Sequence, residues 1–343
     1  MNTHIKIGNK KIGPGERPYI IAEMACAHDG DIQKATKLVD AAVDAGADAI
    51  QLQFFELDET LTPSHEAYSV VKGIVFSPQQ WSEIFNYSRS KGIDVFVCTY
   101  DVPSVKLAVK LGADGIKLNS SDLSNPEVVI EVATSGIAFT LGTGASTLDE
   151  IKKGLELAMN HGALNVVLMH GVQNFPTKRT DLNILRIKWL QENFPIPVGY
   201  HDHTDADDPF AKIVDLVAVG MGANVIEKHI TLDRKEKGLD YQAALEPEEF
   251  RAFVENIRQA HIALGKKELD VFSESDLRYR KFQKKSIVAG RMIRSGEIIS
   301  RDMVKFIRNT EPGIPPSEFK GLVGKQALCD IPLFQNITFD MVK

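Results

Sequence analysis

A chain of 343 residues, 43% apolar and 25% charged, can bury a substantial core and suits one large domain with a small companion. Its net charge of -6, without any block of lysine and arginine, gives no support to nucleic-acid binding. No apolar run is long enough to span a bilayer and the opening MNTHIKIGNKKIG lacks the apolar core of a signal peptide, so a cytoplasmic protein without a membrane partner is expected.

Short β-branched runs alternate with helical segments from residue 19 to about 265. The candidate strands are residues 19–24, 49–54, 94–99, 115–118, 137–141, 165–170, 197–200 and 224–230. Between them, Ser77 followed by Pro78 reads as an N-cap with proline at the first helical position, and Lys91-Gly92 closes the same helix. Ser146-Thr-Leu-Asp149 has the shape of a capping box. Gly46, Gly112, Gly136 and Gly162 fall where a left-handed helix end is wanted. Eight strand-helix units in about 250 residues fit an α/β (β/α)8 TIM barrel better than an open sheet.

In such a barrel the ligand site lies at the C-terminal ends of the strands, and those ends are unusually polar. They supply Glu23 and His28, Gln51 and Gln53, Thr99 and Asp101, Lys117, Asn119 and Ser120, Thr143, His170 and Gln173, His201 to His203, and Glu227 to His229. His203 and His229 are 26 positions apart but end successive strands, so one rim would bring their imidazoles together. With Asp202, Glu227 and Asp240 close in sequence, they form a candidate N/O site for a divalent metal. Lys117 follows Gly-Ile in a buried strand, where an unpaired ammonium is costly. A phosphate or carboxylate substrate would serve as its partner, and so would a structural carboxylate such as Glu23. Cys26, Cys98 and Cys329 are far apart and odd in number, which suggests neither a disulfide framework nor a zinc motif; the first two read as small packing residues.

Pro247 opens a last amphipathic helix, after which residues 266–285 are charged, poor in pattern and read as a linker. The barrel domain is thus assigned to 1–265 and a small, turn-rich domain to 286–343. That domain carries a repeat at an offset of 38, AGRMIRSGEIISRDMV from Ala289 and ALCDIPLFQNITFDMV from Ala327. Each copy reads as a short strand, a turn and a helical turn capped by Ser300 or Thr338.

Several motifs, in order, resemble the sialic acid (N-acetylneuraminate) synthase family. They are YIIAEMACAHDGD (19–31), GADAIQLQFF (46–55), GADGIKLNSSDLSNPEV (112–128), TLGTGASTLDEI (140–151), GYHDHT (199–204), EKHITLDR (227–234) and the C-terminal repeat, which resembles the antifreeze-like (SAF) domain of these enzymes. The resemblance implies condensation of phosphoenolpyruvate with an N-acylated amino sugar, N-acetylmannosamine or a related hexose such as a diacetamido sugar. It implies a divalent metal, usually manganese with magnesium or cobalt as alternatives, on His203 and His229. It assigns Glu23, Gln53 and Asp240 to the acceptor sugar and reacting carbonyl, and Lys117 and Ser120 to phosphoenolpyruvate. Asn119 and Thr143 lie in the same motifs. It further implies a domain-swapped homodimer whose C-terminal domain brings an arginine to the other subunit's sugar, with Arg308 the nearest candidate and Asn309 on the aligned position.

Several departures from the family pattern fall in the donor pocket, and one, Phe175, on the sugar side. Gln51 stands where a lysine is expected, Gly142 and His201 where serines are expected, and Gln173 and Phe175 where asparagine and tyrosine are expected. A protonated His201 facing phosphate is one way to replace the missing charge. These departures keep two other functions open: a metal-dependent barrel aldolase or isomerase that needs no phosphoenolpyruvate, and a non-catalytic carbohydrate-binding protein.

Overall fold

The computed structural model describes residues 3–343, and the chain divides in sequence between Gly265 and Lys266 into two compact units. The first opens with an antiparallel hairpin of β1 (Ile5–Ile7) and β2 (Lys10–Ile12). Eight parallel strands follow: β3 (Tyr19–Glu23), β4 (Ala49–Phe54), β5 (Asp94–Thr99), β6 (Gly115–Leu118), β7 (Ala138–Gly142), β8 (Val166–His170), β9 (Val198–Asp202) and β10 (Val225–His229). Each pairs with its sequence neighbour, and β10 pairs back onto β3 with Val225 opposite Tyr19 and His229 opposite Glu23, which closes the barrel. The (β/α)8 barrel expected from the alternating pattern is the fold found.

Strand residues point alternately to the two faces of the sheet, and the two faces have separate cores. The outward set, among them Ile20, Ile50, Leu52, Val95, Val97, Ile116 and Leu141, packs under the helices. The inward set near the strand starts, Tyr19, Ile21, Ala49, Phe96, Ala138, Val167, Met169 and Val225, forms an apolar plug together with Ile5, Ile7 and Ile12 of the hairpin. Each of those isoleucines is buried, a gain of about 1.5–3 kcal/mol apiece. The hairpin escapes a sequence reading because its strands are three residues long and alternate with lysines. With the N-terminal half of the interior filled by hydrocarbon, the C-terminal half is left for polar groups.

The helix Pro78–Ser90 starts at Ser77, whose side chain and Gln80 cap each other. The next expected box is displaced by one residue. The cap of helix Leu148–Asn160 is Thr147, paired with Glu150, so Ser146 lies outside the helix. Gly46 and Gly112 end their helices in the left-handed conformation, and Gly136 and Gly162 also have positive φ.

In the second unit, the stretch read as linker contains the helix Glu274–Gln283, begun by Ser273 and Asp276 capping each other. It buries no residue, and the absence of an apolar stripe is why it is invisible to a periodicity search. Beyond it, β11 (Ser286–Ala289) pairs antiparallel with β12 (Val304–Ile307). The two repeat copies are built alike. Ala289 pairs with Val304 in one, and the matching Ala327 pairs with Val342 in the other. The matched Ile293 and Ile331 face each other and exchange both backbone hydrogen bonds, at 3.0 and 2.8 Å. Ser300 and Thr338 each precede a short 3-10 turn, but neither side chain caps it; the Ser300 hydroxyl donates to Asp302 instead. No helix among the described residues is long and apolar enough to cross a membrane.

Candidate active site

Above the apolar plug the inward positions change character. Continuing each strand by two residues from its inward apolar member gives Glu23 on β3, Gln51 and Gln53 on β4, Cys98 on β5, Lys117 on β6, Thr140 and Gly142 on β7, His201 on β9, and Glu227 and His229 on β10. Strand register sets Glu23 beside both Gln51 and His229, and Glu227 beside His201.

An ion cluster forms the floor. The Lys117 ammonium lies 2.5 Å from Glu227 Oε1 and 3.4 Å from Glu23 Oε2. Glu23 also accepts from the Ala25 backbone N–H at 2.6 Å and from the Gln51 amide. Burial raises the Glu23 carboxyl to about 7; Lys117 pulls it down and the nearby Glu227 charge pushes it up. Burial disfavours the Lys117 ammonium, but Glu227 and Glu23 outweigh it and hold its proton above the ordinary lysine range. Of the two partners the sequence left open for Lys117, the structure supplies the carboxylates. The lysine nonetheless belongs to the mouth, since its charge acts on His201, His203, His229 and Asp240.

The two imidazoles meet above this floor. The His203 and His229 rings lie 5.1 Å apart at 79°, with Phe175 packed 4.2 Å from the first and 5.5 Å from the second. His203 Nδ1 lies 2.6 Å from the Val172 carbonyl, so it carries the N–H and Nε2 keeps a lone pair. Burial pushes His203 down to about 4 and His229 well below its usual value, with neighbouring positive charge adding to both. Neutral imidazoles, one oriented by a backbone carbonyl, are the form a divalent metal binds. Among the described residues no group of three or more His, Cys, Asp or Glu side chains is arranged to hold a metal. His203 and His229 are thus two nitrogen donors of the kind that would suit a divalent cation.

His201 lies on the same inward face, 1% exposed, its ring stacked 5.2 Å from His203. Burial, reinforced by His203 and Lys117, holds it well below the ordinary histidine value. Within the protein alone, burial thus favours the neutral ring over the charged one.

The remaining site residues fall into two groups. Gln53 joins the mouth, donating to the Tyr100 hydroxyl and accepting from Cys26 at 3.3 Å. Asn119 donates to Cys98 at 3.4 Å. Asp240 is half-buried at a left-handed backbone position; burial raises its carboxyl against the pull of Lys117, and its charge acts on the Cys26 thiol, itself pushed up to about 12 by burial. Asn119, Ser120 and Gln173 line a cleft of about 470 Å³ with Gly144 and Ser146.

Other strand-end residues face away. Thr143 spends its hydroxyl on the Met169 carbonyl at 3.0 Å and, with His170, lines an outer cleft between helices. His170 is tied to the Leu182 carbonyl at 2.8 Å. Asp101 caps the helix Val102–Leu111, and His28 stacks on Phe76 at 4.3 Å while accepting from the Gly30 N–H. Asp202, expected near the metal, points outward into a buried network: it pairs with Lys228, which also holds Asp215 at 3.0 Å, and accepts from Tyr200 and Thr204. Arg308 is exposed in the second unit and makes no ion pair among the described residues, while Asn309 donates to Phe334 and Asn336 within that unit. Tyr100 and Thr140 were missed by the sequence reading. Strand parity was the available signal for both: Tyr100 follows Cys98 by two, and Thr140 follows Ala138 by two.

The NeuB family model matches residues 38–269. The chain belongs to the NeuB family. Among its relatives, the N,N'-diacetyllegionaminic acid synthase of Legionella pneumophila is 31% identical, with 95% of each chain covered. The pseudaminic acid synthase of Campylobacter jejuni is 30% identical over 95% of this chain and 96% of its own. The crystal structure of the N-acetylneuraminic acid (sialic acid) synthetase of Leptospira borgpetersenii superposes with a TM-score of 0.76 at 30% identity, covering 82% of this chain and 97% of that one. Family membership covers the strands from β4 to β10, and thus both imidazoles, Lys117 and Glu227.

Proposed function

We propose that the protein joins phosphoenolpyruvate to an N-acylated amino sugar in a metal-dependent, aldol-like addition that yields a nonulosonate and inorganic phosphate. The observation that carries this reading is the convergence of His203 and His229 over the Lys117, Glu227 and Glu23 cluster at one end of a closed barrel. His203 and His229 would hold the cation, with manganese our choice and magnesium or cobalt compatible with the same donors; when bound it supplies Lewis acidity toward the sugar aldehyde.

The chain's own groups handle charge and protons. C3 of phosphoenolpyruvate forms the new C–C bond to the aldehyde carbon, whose oxygen is protonated, and positive charge develops at C2. Water adds at C2, and collapse to the ketone breaks the C–O bond to phosphate. Glu23, poised at about 7, suits a group that takes a proton from that water near neutral pH. Lys117 faces the donor's negative charge by exchanging a carboxylate for an anionic oxygen. Gln51, Asn119, Ser120 and Gln173 border the donor side, and Gln53, Asp240 and Phe175 the acceptor side. Thr143 supports the β7 end through Met169. In a homodimer, Arg308 would be the residue offered to the other subunit's sugar.

The relatives named as legionaminic and pseudaminic acid synthases put diacetamido hexoses on the acceptor panel beside N-acetylmannosamine. Incubation with phosphoenolpyruvate, manganese and that panel should release phosphate in step with a product whose mass is that of the sugar plus pyruvate. Absence of phosphate release with every sugar overturns the proposal. It would favour a barrel aldolase or isomerase independent of phosphoenolpyruvate, a reading to which the carboxylates already on Lys117 lend support.

A further inference from the structure

Outside the barrel mouth, a cleft of about 590 Å³ opens between the helices Leu148–Asn160 and Leu185–Asn193. It is larger than the cleft of about 470 Å³ that borders Ser120 and Gln173, and its volume suits a small molecule. Leu148 and Ile151 of the first helix and Trp189 and Leu190 of the second give it apolar sides. Trp189 leaves 38% of its surface uncovered and Leu148 37%, a large exposure for an indole, a group that folded chains mostly bury.

The cleft also carries a cation. Arg186 lines it, and no ion pair among the described residues holds that guanidinium. Burial, and then the Arg186 charge, lower the His170 ring below its ordinary value against the pull of the Leu182 carbonyl, which puts the guanidinium within electrostatic reach of the buried His170 lining the same cleft. One wall, moreover, is shared. Ala145 and Ser146 line this cleft and the donor-side cleft alike. Ala145 holds φ +54°, a left-handed position that costs an alanine about 1–2 kcal/mol. On the donor side, a Cβ on Gly144 would fall 3.6 Å from Ser120 Oγ and 3.7 Å from Gln173 Cγ. Pressure on the outer side of residues 143–147 is therefore felt where phosphoenolpyruvate is proposed to bind.

We propose that this outer cleft is a second ligand site, for a small molecule with a flat apolar body and an anionic group, and that its occupant adjusts donor binding through the wall of residues 143–147. The Trp189 indole, with Leu148 and Ile151, takes the flat body. The Arg186 guanidinium, a planar fork of donors, takes a carboxylate or a phosphate, which offer it the same kind of oxygens. The site itself is independent of the synthase reading; its effect on the donor rests on that reading.

The test uses the full chain, with phenylacetate and phenyl phosphate as ring-bearing anions, benzyl alcohol as a neutral ring, and acetate and inorganic phosphate as anions without one. Binding is read by calorimetry on the wild type and by Trp189 emission in a Trp81→Phe background, since the chain has only two tryptophans. At least one ring anion should bind with a Kd of about 1 mM or tighter, and the three control compounds about 10-fold or more weakly. The tighter of the two identifies the anion as carboxylate or phosphate. Arg186→Ala should remove the preference for charge, Arg186→Lys should keep part of it, and Trp189→Ala should weaken both ring anions. The bound anion should shift the KM for phosphoenolpyruvate about 5-fold or more in the wild type, and Arg186→Ala should abolish that shift. Failure of both ring anions to bind overturns the proposal, as does binding that Arg186→Ala and Trp189→Ala leave unchanged. A KM that does not move, or a shift that survives Arg186→Ala and so marks competition at the donor cleft, overturns the effect on the donor. Trp189 emission that follows protein concentration and no probe gives the cleft to a second copy of the chain instead. A wild type that binds the ring anions through Arg186 but binds no phosphoenolpyruvate upholds the site and removes the synthase reading.

Discussion

Two buried lysines, each set between two carboxylates, occupy opposite faces of the barrel wall. Lys228 points outward, fully buried, onto Asp202, Asp215 and the Ala211 carbonyl, and Asp202 spends its other oxygen on Tyr200 and Thr204, which leaves Asp215 Oδ1 as the one unpartnered side-chain atom of this group among the described residues. Burial lifts Asp215 to about 7 against the pull of Lys228, while Lys228 outweighs burial at Asp202 and lowers it. Lys117 points inward onto Glu227 and Glu23, and its surroundings are unfinished: Glu227 Oε2, Gln51 Oε1, Thr140 Oγ1 and both nitrogens of His201 have no partner. The difference separates structure from function. A network with a single unmade hydrogen bond holds strands together, whereas one with several unmade donors and acceptors has room in its chemistry for a further polar partner.

The comparison breaks most visibly at the imidazoles. His203→Ala and His229→Ala should each remove bound manganese and lower metal-dependent phosphate release at least about 1,000-fold, the upper range for loss of one electrostatic element of a site, with the folded circular dichroism spectrum unchanged. Full metal content in both variants would exclude them as ligands.

The lysines should then part company. Lys117→Met should lower kcat/KM about 100-fold or more. Lys228→Met leaves Asp202 and Asp215 buried without a cation and should destabilise by about 3–5 kcal/mol in urea unfolding, while kcat/KM falls far less than in Lys117→Met. Should Lys228→Met cost as much activity as Lys117→Met, the division between the two networks fails.

A smaller effect concerns pH. As a proton acceptor Glu23 works deprotonated, so kcat/KM should rise through pH 7 and level off above it. Glu227→Gln removes a like charge that raises the Glu23 carboxyl, so the rising limb should move to lower pH. A limb that stays in place or moves up would take Glu23 out of that role. The smallest effect tests the displaced helix cap: Thr147→Ala should cost about 1 kcal/mol in thermal or urea unfolding, and Ser146→Ala close to nothing.

Much of this architecture was legible before any coordinates. The runs 49–54, 94–99 and 115–118 coincide with β4, β5 and β6, because parallel strands buried on both faces read as short, largely apolar runs between capped helices. The site was legible only as a set of strand ends. Thr99, Asp101, Thr143 and His170 were gathered with Lys117 and His203 because all are polar and terminal, yet those four lie outside the mouth. Tyr100, between Thr99 and Asp101, meets Gln53 inside it. Adjacent residues on a strand differ by a half-turn, so a one-residue choice of face decides which of them a ligand can meet.

The sequence by itself determined the alternation of strands and helices, the repeat that doubles the small unit, and the residue types from which a two-histidine site could be made, since these follow from local periodicity, capping and composition. Tertiary structure alone decided which parity of each strand faces the axis, that the hairpin's isoleucines fill the lower half of the interior, and that Lys117 faces that interior among unpartnered polar groups while Lys228 faces the helices. Those outcomes depend on how β10 closes against β3, a contact between segments some 200 residues apart that no local pattern encodes.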